Sequence, residues 1–142
     1  MGITKFGNKR MQRALNRWEK DIIDDVKTII RETVVILQRE ARLFAPEDSG
    51  YLRESIEMEV APNGLSAFVK VHAEYGIYVE YGTGIYATGP GGSKAKRIPW
   101  VFYSERYQQF FTTYGMVPQP FWHPAVEIAS DFFVKEMRKL GK

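Results

Sequence analysis

The sequence predicts an α+β fold, in which a long N-terminal helix and a C-terminal helix pack on one face of an antiparallel sheet of about four strands. Three observations lead to this prediction. An apolar stripe of helical period opens the chain, a second one closes it, and two pairs of strand-like segments lie between them. The predicted order is α-β-β-(short α)-β-β-α. This order disfavours a doubly wound parallel sheet, in which each strand would be followed by a helix.

The first helix is predicted from Asn8 to Phe44. Apolar residues recur there at steps of three and four, and no glycine or proline interrupts them. Ala45-Pro46 should end the helix, because a proline disfavours helical geometry in the residue before it. Its length would be about 55 Å, whereas a small domain measures about 30 Å across.

The apolar stripe continues into the first turns of this helix, where it includes Met11, Leu15 and Trp18. One small domain cannot easily cover a stripe of this length. Two interpretations remain open: the helix bends back near residues 20–21, or its first turns lie on a neighbouring subunit.

Two hairpins are predicted in the middle of the chain. Residues 52–60 alternate between apolar and polar and indicate a strand, which an Asn63-Gly64 turn connects to a second strand at residues 65–72. A short helical turn is expected within residues 73–81. The second hairpin pairs residues 98–103 with 110–115.

The last helix is predicted to begin at Pro124, since proline suits the first turn of a helix, and to end at Gly141. Its expected core face consists of Val126, Ala129, Phe133, Met137 and Leu140.

Composition indicates one ordinary globular domain spanning residues 1–142, with 44% hydrophobic and 26% charged residues. No apolar run approaches the roughly 20 residues of a membrane span, and the N-terminus lacks the apolar core of a secretory signal, so no membrane partner is expected. The chain has no cysteine, which excludes disulfides and cysteine-based zinc sites. With His72 and His123 as its two histidines, no metal or other cofactor is predicted.

The net charge of +3 is unevenly distributed. Residues 1–20, predicted as a basic helical extension, contain six Lys/Arg and one acid. The glycine-rich segment 84–97, predicted as a flexible loop, contains three bases and no acid. Lys94, Lys96 and Arg97 could contact DNA phosphates there, with Tyr86 as a stacking residue. A nucleic-acid-binding module is therefore one alternative, and solvated surface charge is another.

No catalytic residue is predicted, and the chain is not expected to be an enzyme. The stretch 89–94 lacks the Gly-Lys pair of a P-loop and no helix follows it. The sequence contains no G-x-S-x-G elbow. A hydrolytic enzyme is a further alternative. It would need His72 or His123 as a catalytic residue, and no catalytic sequence motif surrounds either histidine. Glu80, next to glycines, is interpreted as a structural cap or ion-pair partner.

Three sequence blocks carry a resemblance to a known family. Residues 45–56 (APEDSGYLRESI), 75–83 (YGIYVEYGT) and 115–125 (GMVPQPFWHPA) resemble the A-P-x-D-T-G-x-L-R-x-S-I, Y-A-x-Y-V-E-x-G-T and G-x-x-P-Q-P-F-x-x-P-A patterns of the tail-completion, or head–tail joining (neck), proteins of long-tailed bacteriophages. Ser49 and Gly76 depart conservatively from these patterns. The positions that carry the resemblance are Pro46, Asp48, Gly50, Leu52, Ser55, Tyr78, Glu80, Gly82, Thr83, Pro118, Pro120, Phe121 and Pro124.

The resemblance implies a structural virion protein at the head–tail junction of a phage or prophage. Such a protein would form a ring, expected to be hexameric, around the DNA channel after assembly in the host cytoplasm. Its implied partners are other copies of itself, the neck or connector proteins, and the tail-tube or tail-terminator proteins, with weak electrostatic contact to passing DNA. Candidate interface or DNA-lumen residues, which lie outside the three blocks, are Met11, Leu15, Trp18, Tyr86, Lys94, Lys96 and Arg97.

Overall fold

A computed structural model describes residues 8–47, 50–93 and 95–140 of the chain. It confirms the α+β class and the predicted order of the main elements. The elements are α1 (Asn8–Phe44), α2 (Tyr51–Glu54), β1 (Ile56–Val60), β2 (Ala67–Val71), α3 (Gly76–Tyr81), a 3-10 turn (Gly84–Tyr86), β3 (Trp100–Ser104), β4 (Gln109–Thr113) and α4 (Trp122–Leu140).

The four strands form two separate antiparallel hairpins and not the single sheet that the sequence suggested. In the first, Ile56 pairs with Val71 and Val60 with Ala67. In the second, β3 pairs with β4. The first hairpin and α2 pack against α1, as does α4, whereas β3 and β4 pack mainly against each other. Only the first hairpin packs substantially against α1, and such long-range contacts are not revealed by local sequence patterns.

The first predicted strand was placed four residues too early. Residues 51–54 form one helical turn, which follows Gly50 at φ +72°, and the strand begins at Ile56. Leu52 and Ile56 are both buried. Their separation of four residues fits a helical turn as well as a strand face, so periodicity could not distinguish the two.

Small residues line the contact between α1 and α4. Ala41 of α1, Ala45 immediately after it, and Ala125 and Ala129 of α4 are all buried. Side chains of this size allow helix axes to approach closely. Helix α4 begins two residues before Pro124, and Ala125, which the sequence prediction omitted, belongs to its core face. The other predicted core-face residues of α4 are half-buried, except Ala129, which is buried.

Helix α1 is continuous over its whole length, so the interpretation that it bends back near residues 20–21 is wrong. Every residue from Lys9 to Asp21 is exposed. The first turns of α1 therefore extend beyond the core of the molecule. None of the helices in the described ranges is long and apolar enough to cross a membrane.

Candidate functional site: a buried joint and three open surfaces

The carboxylate of Glu80 lies at the N-terminus of α4. Its Oε2 accepts hydrogen bonds from the backbone N–H groups of Phe121 and Trp122, at 2.8 and 2.9 Å, and its Oε1 accepts one from the N–H of His123 at 3.1 Å. His123 Nδ1 also contacts Oε1. The first N–H groups of a helix have no partner within the helix and carry partial positive charge. Glu80 therefore caps α4 from a distant part of the chain.

Hydrogen bonding keeps Glu80 ionised although its side chain is only 6% exposed. Burial by itself raises the pKa of the carboxyl, but the N–H groups of Trp122 and Phe121, together with His123, outweigh burial and hold the pKa below its ordinary value. Both carboxylate oxygens are engaged, so this group is poorly suited to act as a general base.

Three further hydrogen bonds connect the end of α3 and the residues after it to the segment before α4. The backbone N–H of Gln119 donates to the carbonyl of Val79 at 2.8 Å. The N–H of Thr83 donates to the carbonyl of Met116 at 2.9 Å, and Thr83 Oγ1 accepts from the N–H of Met116 at 2.8 Å. These bonds hold residues 79–83 and 116–119 side by side.

Gly82 fits this joint because it has no side chain. Its φ is +77° and its ψ is 179°, a region that is essentially restricted to glycine. A Cβ there would lie 2.7 Å from the carbonyl oxygen of Met116 and 2.8 Å from Cδ of Pro118. Both the dihedral angles and the close backbone approach therefore require glycine.

The first sequence block joins the same core. Ser55 Oγ donates to the carbonyl of Leu52 at 2.7 Å and accepts from the N–H of Ala73 at 3.1 Å. A Cβ placed on Gly76 would lie 3.3 Å from Leu52 and 3.6 Å from Phe121. The three blocks, distant in sequence, thus meet around Phe121, which is 2% exposed. We call this arrangement the buried joint.

The remaining positions of the blocks lie around the buried joint. Pro46 is half-buried after α1, and Pro124 is half-buried in the first turn of α4, while Pro120 and Tyr78 are exposed. Asp48 lies outside the described residues, as does Lys94. The geometry of the joint is that of a scaffold, made largely of backbone hydrogen bonds and apolar contacts.

The histidines show no catalytic arrangement. His72 pairs with Glu57 at 3.0 Å on the surface of the first hairpin, and His123 contacts Glu80. Within the described ranges, no group of three metal-ligating side chains comes together.

A cleft of about 670 Å³ lies beside α3, and the sequence analysis did not foresee it. Its aromatic walls come from Tyr78, Tyr81 and Trp100, and Lys96 and Arg97 also line it. Tyr86 does not line this cleft. None of the described residues that line it carries a carboxylate. We call it the α3 cleft.

The second hairpin exposes aromatic residues on both faces. Tyr103 and Phe110 pair on one face with ring centroids 5.1 Å apart, and Phe102 and Phe111 pair on the other at 5.9 Å. Phe110 is 72% exposed. We call residues 100–113 the aromatic arm. The strand sequences WVFYS and QFFTT do not alternate between apolar and polar residues. A hairpin with one face in water normally shows such alternation, so its absence is the sequence feature that could have indicated aromatic residues on both faces.

The third open surface is the start of α1. Met11, Leu15 and Trp18 are each more than half exposed, and we call them the N-terminal stripe. Five bases and one acid lie among residues 9–20, all of them exposed.

A protein-family model described as "Bacteriophage HK97-gp10, putative tail-component" matches residues 9–82 of the chain. The matched region covers α1 from Lys9 onward, the first sequence block, and the second block as far as Gly82. No curated protein and no solved structure gave a match to this chain.

Proposed function

This chain belongs to the HK97-gp10-like family of bacteriophage tail components, and we propose that within the tail it completes or joins the structure at the head–tail junction as a subunit of a ring around the DNA channel. The mechanism is geometric. Subunits associate side by side, cover exposed surfaces on the head and tail, and leave an opening through which DNA passes.

The observation that carries this proposal is the amount of apolar surface that the described part of the chain leaves uncovered. The side chains of the N-terminal stripe are each more than half exposed, and the aromatic arm, whose strands pack mainly against each other, exposes Phe110 and Tyr107 to a similar or greater extent. Contiguous exposed apolar patches on soluble proteins commonly mark interaction sites. An isolated two-stranded hairpin is also at best marginally stable in water, so the aromatic arm gains stability from a partner.

The buried joint supports the same proposal from a different direction. Glu80, Gly82 and Phe121 hold α4 against α3. The Glu80 carboxylate accepts hydrogen bonds from within the chain, Gly82 lies against its backbone, and the Phe121 ring is buried in its core. Such a joint holds the shape of a subunit and leaves its recognition to the surfaces around it. A ring requires this rigidity because the angle between neighbouring subunits determines whether the ring closes.

The partners that this position implies are other copies of the chain, expected to form a hexamer, the neck or connector proteins, and the tail-tube or tail-terminator proteins. The protein would be assembled in the host cytoplasm and remain in the tail or neck of the virion. The bases of residues 9–20 and of the segment 84–97 would face DNA or an acidic partner surface through weak, salt-sensitive contacts.

Light scattering of the purified full chain, over a range of concentration and salt, tests self-association. A particle of about six times the 16.4 kDa of one chain supports the ring. A monomer under all conditions means that assembly needs a template, and addition of the connector or tail-tube protein must then produce the ring. A monomer that stays monomeric with both partners contradicts the proposal.

A nucleic-acid-binding module is the second candidate, and the exposed basic start of α1 is the observation that favours it. Fluorescence anisotropy with a labelled DNA duplex decides between the two. Tight binding by the isolated monomer, with a steep loss of affinity as salt rises, favours the binding module. Weak binding that appears only with assembled particles favours the ring.

Deletion of residues 85–96 separates folding from joining. This segment lies outside the buried joint, so the variant should fold yet fail to connect heads to tails. Circular dichroism measures the folding, and electron microscopy of lysates measures the joining. Normal joining by the deletion variant contradicts a role of this segment in assembly.

A further inference from the structure

We propose that the α3 cleft binds a nucleotide, whose base lies against the aromatic walls of the cleft and whose phosphate meets Lys96 and Arg97. The nucleotide is either a free one or an unpaired residue of a DNA strand, since both present the same base and phosphate chemistry. This inference goes beyond the proposed function, because a site of this kind does not depend on a ring.

The walls of the α3 cleft suit a flat aromatic ligand. Its volume of about 670 Å³ lies within the usual range of small-molecule sites, about 300–1,000 Å³. Tyr78 is 43% exposed, whereas Tyr81 and Trp100 are half-buried, so the three rings are held by the protein and still border the cleft. A nucleobase stacks favourably on aromatic side chains whichever of the bases it is.

The loop that closes the cleft on the side facing α3 is held by hydrogen bonds. Thr88 donates from its N–H and from its Oγ1 to the carbonyl of Tyr81, at 2.8 and 2.9 Å. The N–H of Gly92 donates to the carbonyl of Gly89 at 3.0 Å. A Cβ on Gly89 would lie 2.9 Å from Cγ of Tyr81, so glycine allows the loop to approach this ring closely. The cleft therefore has a defined wall on this side.

The charge of the cleft requires an anion. Lys96 and Arg97 are exposed, line the cleft and make no ion pair within the described ranges. None of the described lining residues carries a carboxylate that could neutralise them. A guanidinium presents its N–H groups in a planar fork that matches phosphate oxygens, and a lysine ammonium adds a second positive charge.

A nucleotide carries both of the required parts in one unit, because its sugar connects the base to the phosphate. Inorganic phosphate would leave the aromatic walls in contact with water. Duplex DNA keeps its bases paired and stacked inside the helix, so its phosphates could meet the two cations but none of its bases could reach the rings. An acidic peptide would have to place a carboxylate and a flat side chain next to each other in the cleft.

The fluorescence of Trp100 reports directly on stacking in the cleft. The chain has three tryptophans, and the full chain with Trp18→Phe and Trp122→Phe retains Trp100 alone. Adenosine monophosphate and a short single-stranded oligo(dA) should each quench this fluorescence in a saturable manner, and inorganic phosphate should not. Anisotropy of labelled oligo(dA) with the otherwise wild-type chain repeats the measurement without a tryptophan change. Absence of saturable binding of both nucleotide ligands overturns the proposal.

Variants of the cleft test the two halves of the site. Tyr78→Ala should weaken the binding of oligo(dA) about tenfold, through the loss of one stacking surface. Lys96→Gln combined with Arg97→Gln should weaken it by a similar factor and reduce its salt dependence. The matched control is Arg13→Gln with Arg17→Gln, which removes two exposed cations from α1 and should leave the quenching of Trp100 unchanged. An equal loss in the control means that the attraction is diffuse and overturns the proposal.

Two further ligands test the chemical class. Tighter binding of oligo(dA) than of adenosine monophosphate supports the site and identifies a DNA strand as its source, whereas equal affinities support it and identify a free nucleotide. A duplex, or an acidic tyrosine-containing peptide, that quenches Trp100 at lower concentration than both nucleotide ligands overturns the proposal. Light scattering of the Tyr78→Ala chain separates this inference from the ring. Closed particles formed by a wild-type chain that binds neither nucleotide ligand leave the ring standing and overturn the site alone.

Discussion

Removal of the Glu80 carboxylate should be one of the most damaging single changes to the fold. In Glu80→Ala, the N–H groups of Phe121, Trp122 and His123 at the start of α4 lose their acceptors at once. Loss of a helix cap costs about 0.5–2 kcal/mol, and each buried donor left unpaired adds about 1 kcal/mol or more. We expect the free energy of unfolding to fall by about 3 kcal/mol. For a domain of this size, that corresponds to a decrease in Tm of about 10 °C.

Glu80→Gln provides a graded comparison. The amide keeps one carbonyl oxygen as an acceptor but loses the negative charge and the second acceptor, so the expected loss is smaller, about 1–2 kcal/mol. Glu127→Gln, on the exposed side of α4, is the matched control and should leave Tm nearly unchanged. Denaturant unfolding followed by tryptophan fluorescence measures all three variants.

The pH dependence of these differences identifies the mechanism. The folded-state pKa of Glu80 is lowered, so its ionised form stabilises the protein at pH values above the unfolded-state pKa, about 4.3. That stabilisation is lost as pH falls through the folded-state pKa. The stability gap between wild type and Glu80→Gln should therefore be full at pH 5–7 and narrow below about pH 4.

Two results would refute this reasoning. One is a Glu80→Ala variant that melts within about 1 °C of wild type, because the loss of acceptors for three N–H groups should destabilise the fold by far more than such a shift represents. The other is a Glu80→Gln gap of constant size down to about pH 3, which would mean that the carboxylate does not act through its charge.

Three other changes test the remaining parts of the account. Gly82→Val should lower stability by about 3 kcal/mol, since its φ of +77° and the 2.7 Å approach to a carbonyl oxygen both oppose a side chain; an unchanged Tm would contradict this. Phe121→Ala should cost about 3–5 kcal/mol through the cavity that it leaves, measured by chemical denaturation, and a loss below about 1 kcal/mol would mean that the three blocks do not meet there. The triple change Met11→Ser, Leu15→Ser and Trp18→Ser should leave Tm within a few degrees of wild type but reduce particle mass in light scattering, and retention of full-size particles would exclude the N-terminal stripe from assembly.

Much of the fold could be predicted from local patterns. Both ends of α1 agree with the prediction, because an uninterrupted helical stripe and a following proline are strong signals. Both hairpins and the last helix were also identified. Helix α2 was missed because the four-residue spacing of Leu52 and Ile56 fits both the period of a helix and that of a strand. The strands form two separate sheets, of which only the first packs substantially against α1, and sequence spacing does not encode such long-range contacts.

The buried joint illustrates a different limit. Its residues were singled out in the sequence, but the connection between them was not. Glu80 and the N–H groups that it caps are more than 40 positions apart in the chain, and no periodicity relates them. The α3 cleft was missed for the same reason, since its walls come from α3, the loop after it and Trp100. The exposure of the N-terminal stripe could be anticipated, because the helix is longer than the core that could cover it.

The most direct test of the central claim is deletion of the gene from the phage or prophage that encodes this protein, with the lysate viewed by electron microscopy. The account predicts filled heads and tails that are present but not joined, and joined virions once the wild-type chain is supplied from a plasmid. Intact tailed virions in the absence of the protein would contradict it.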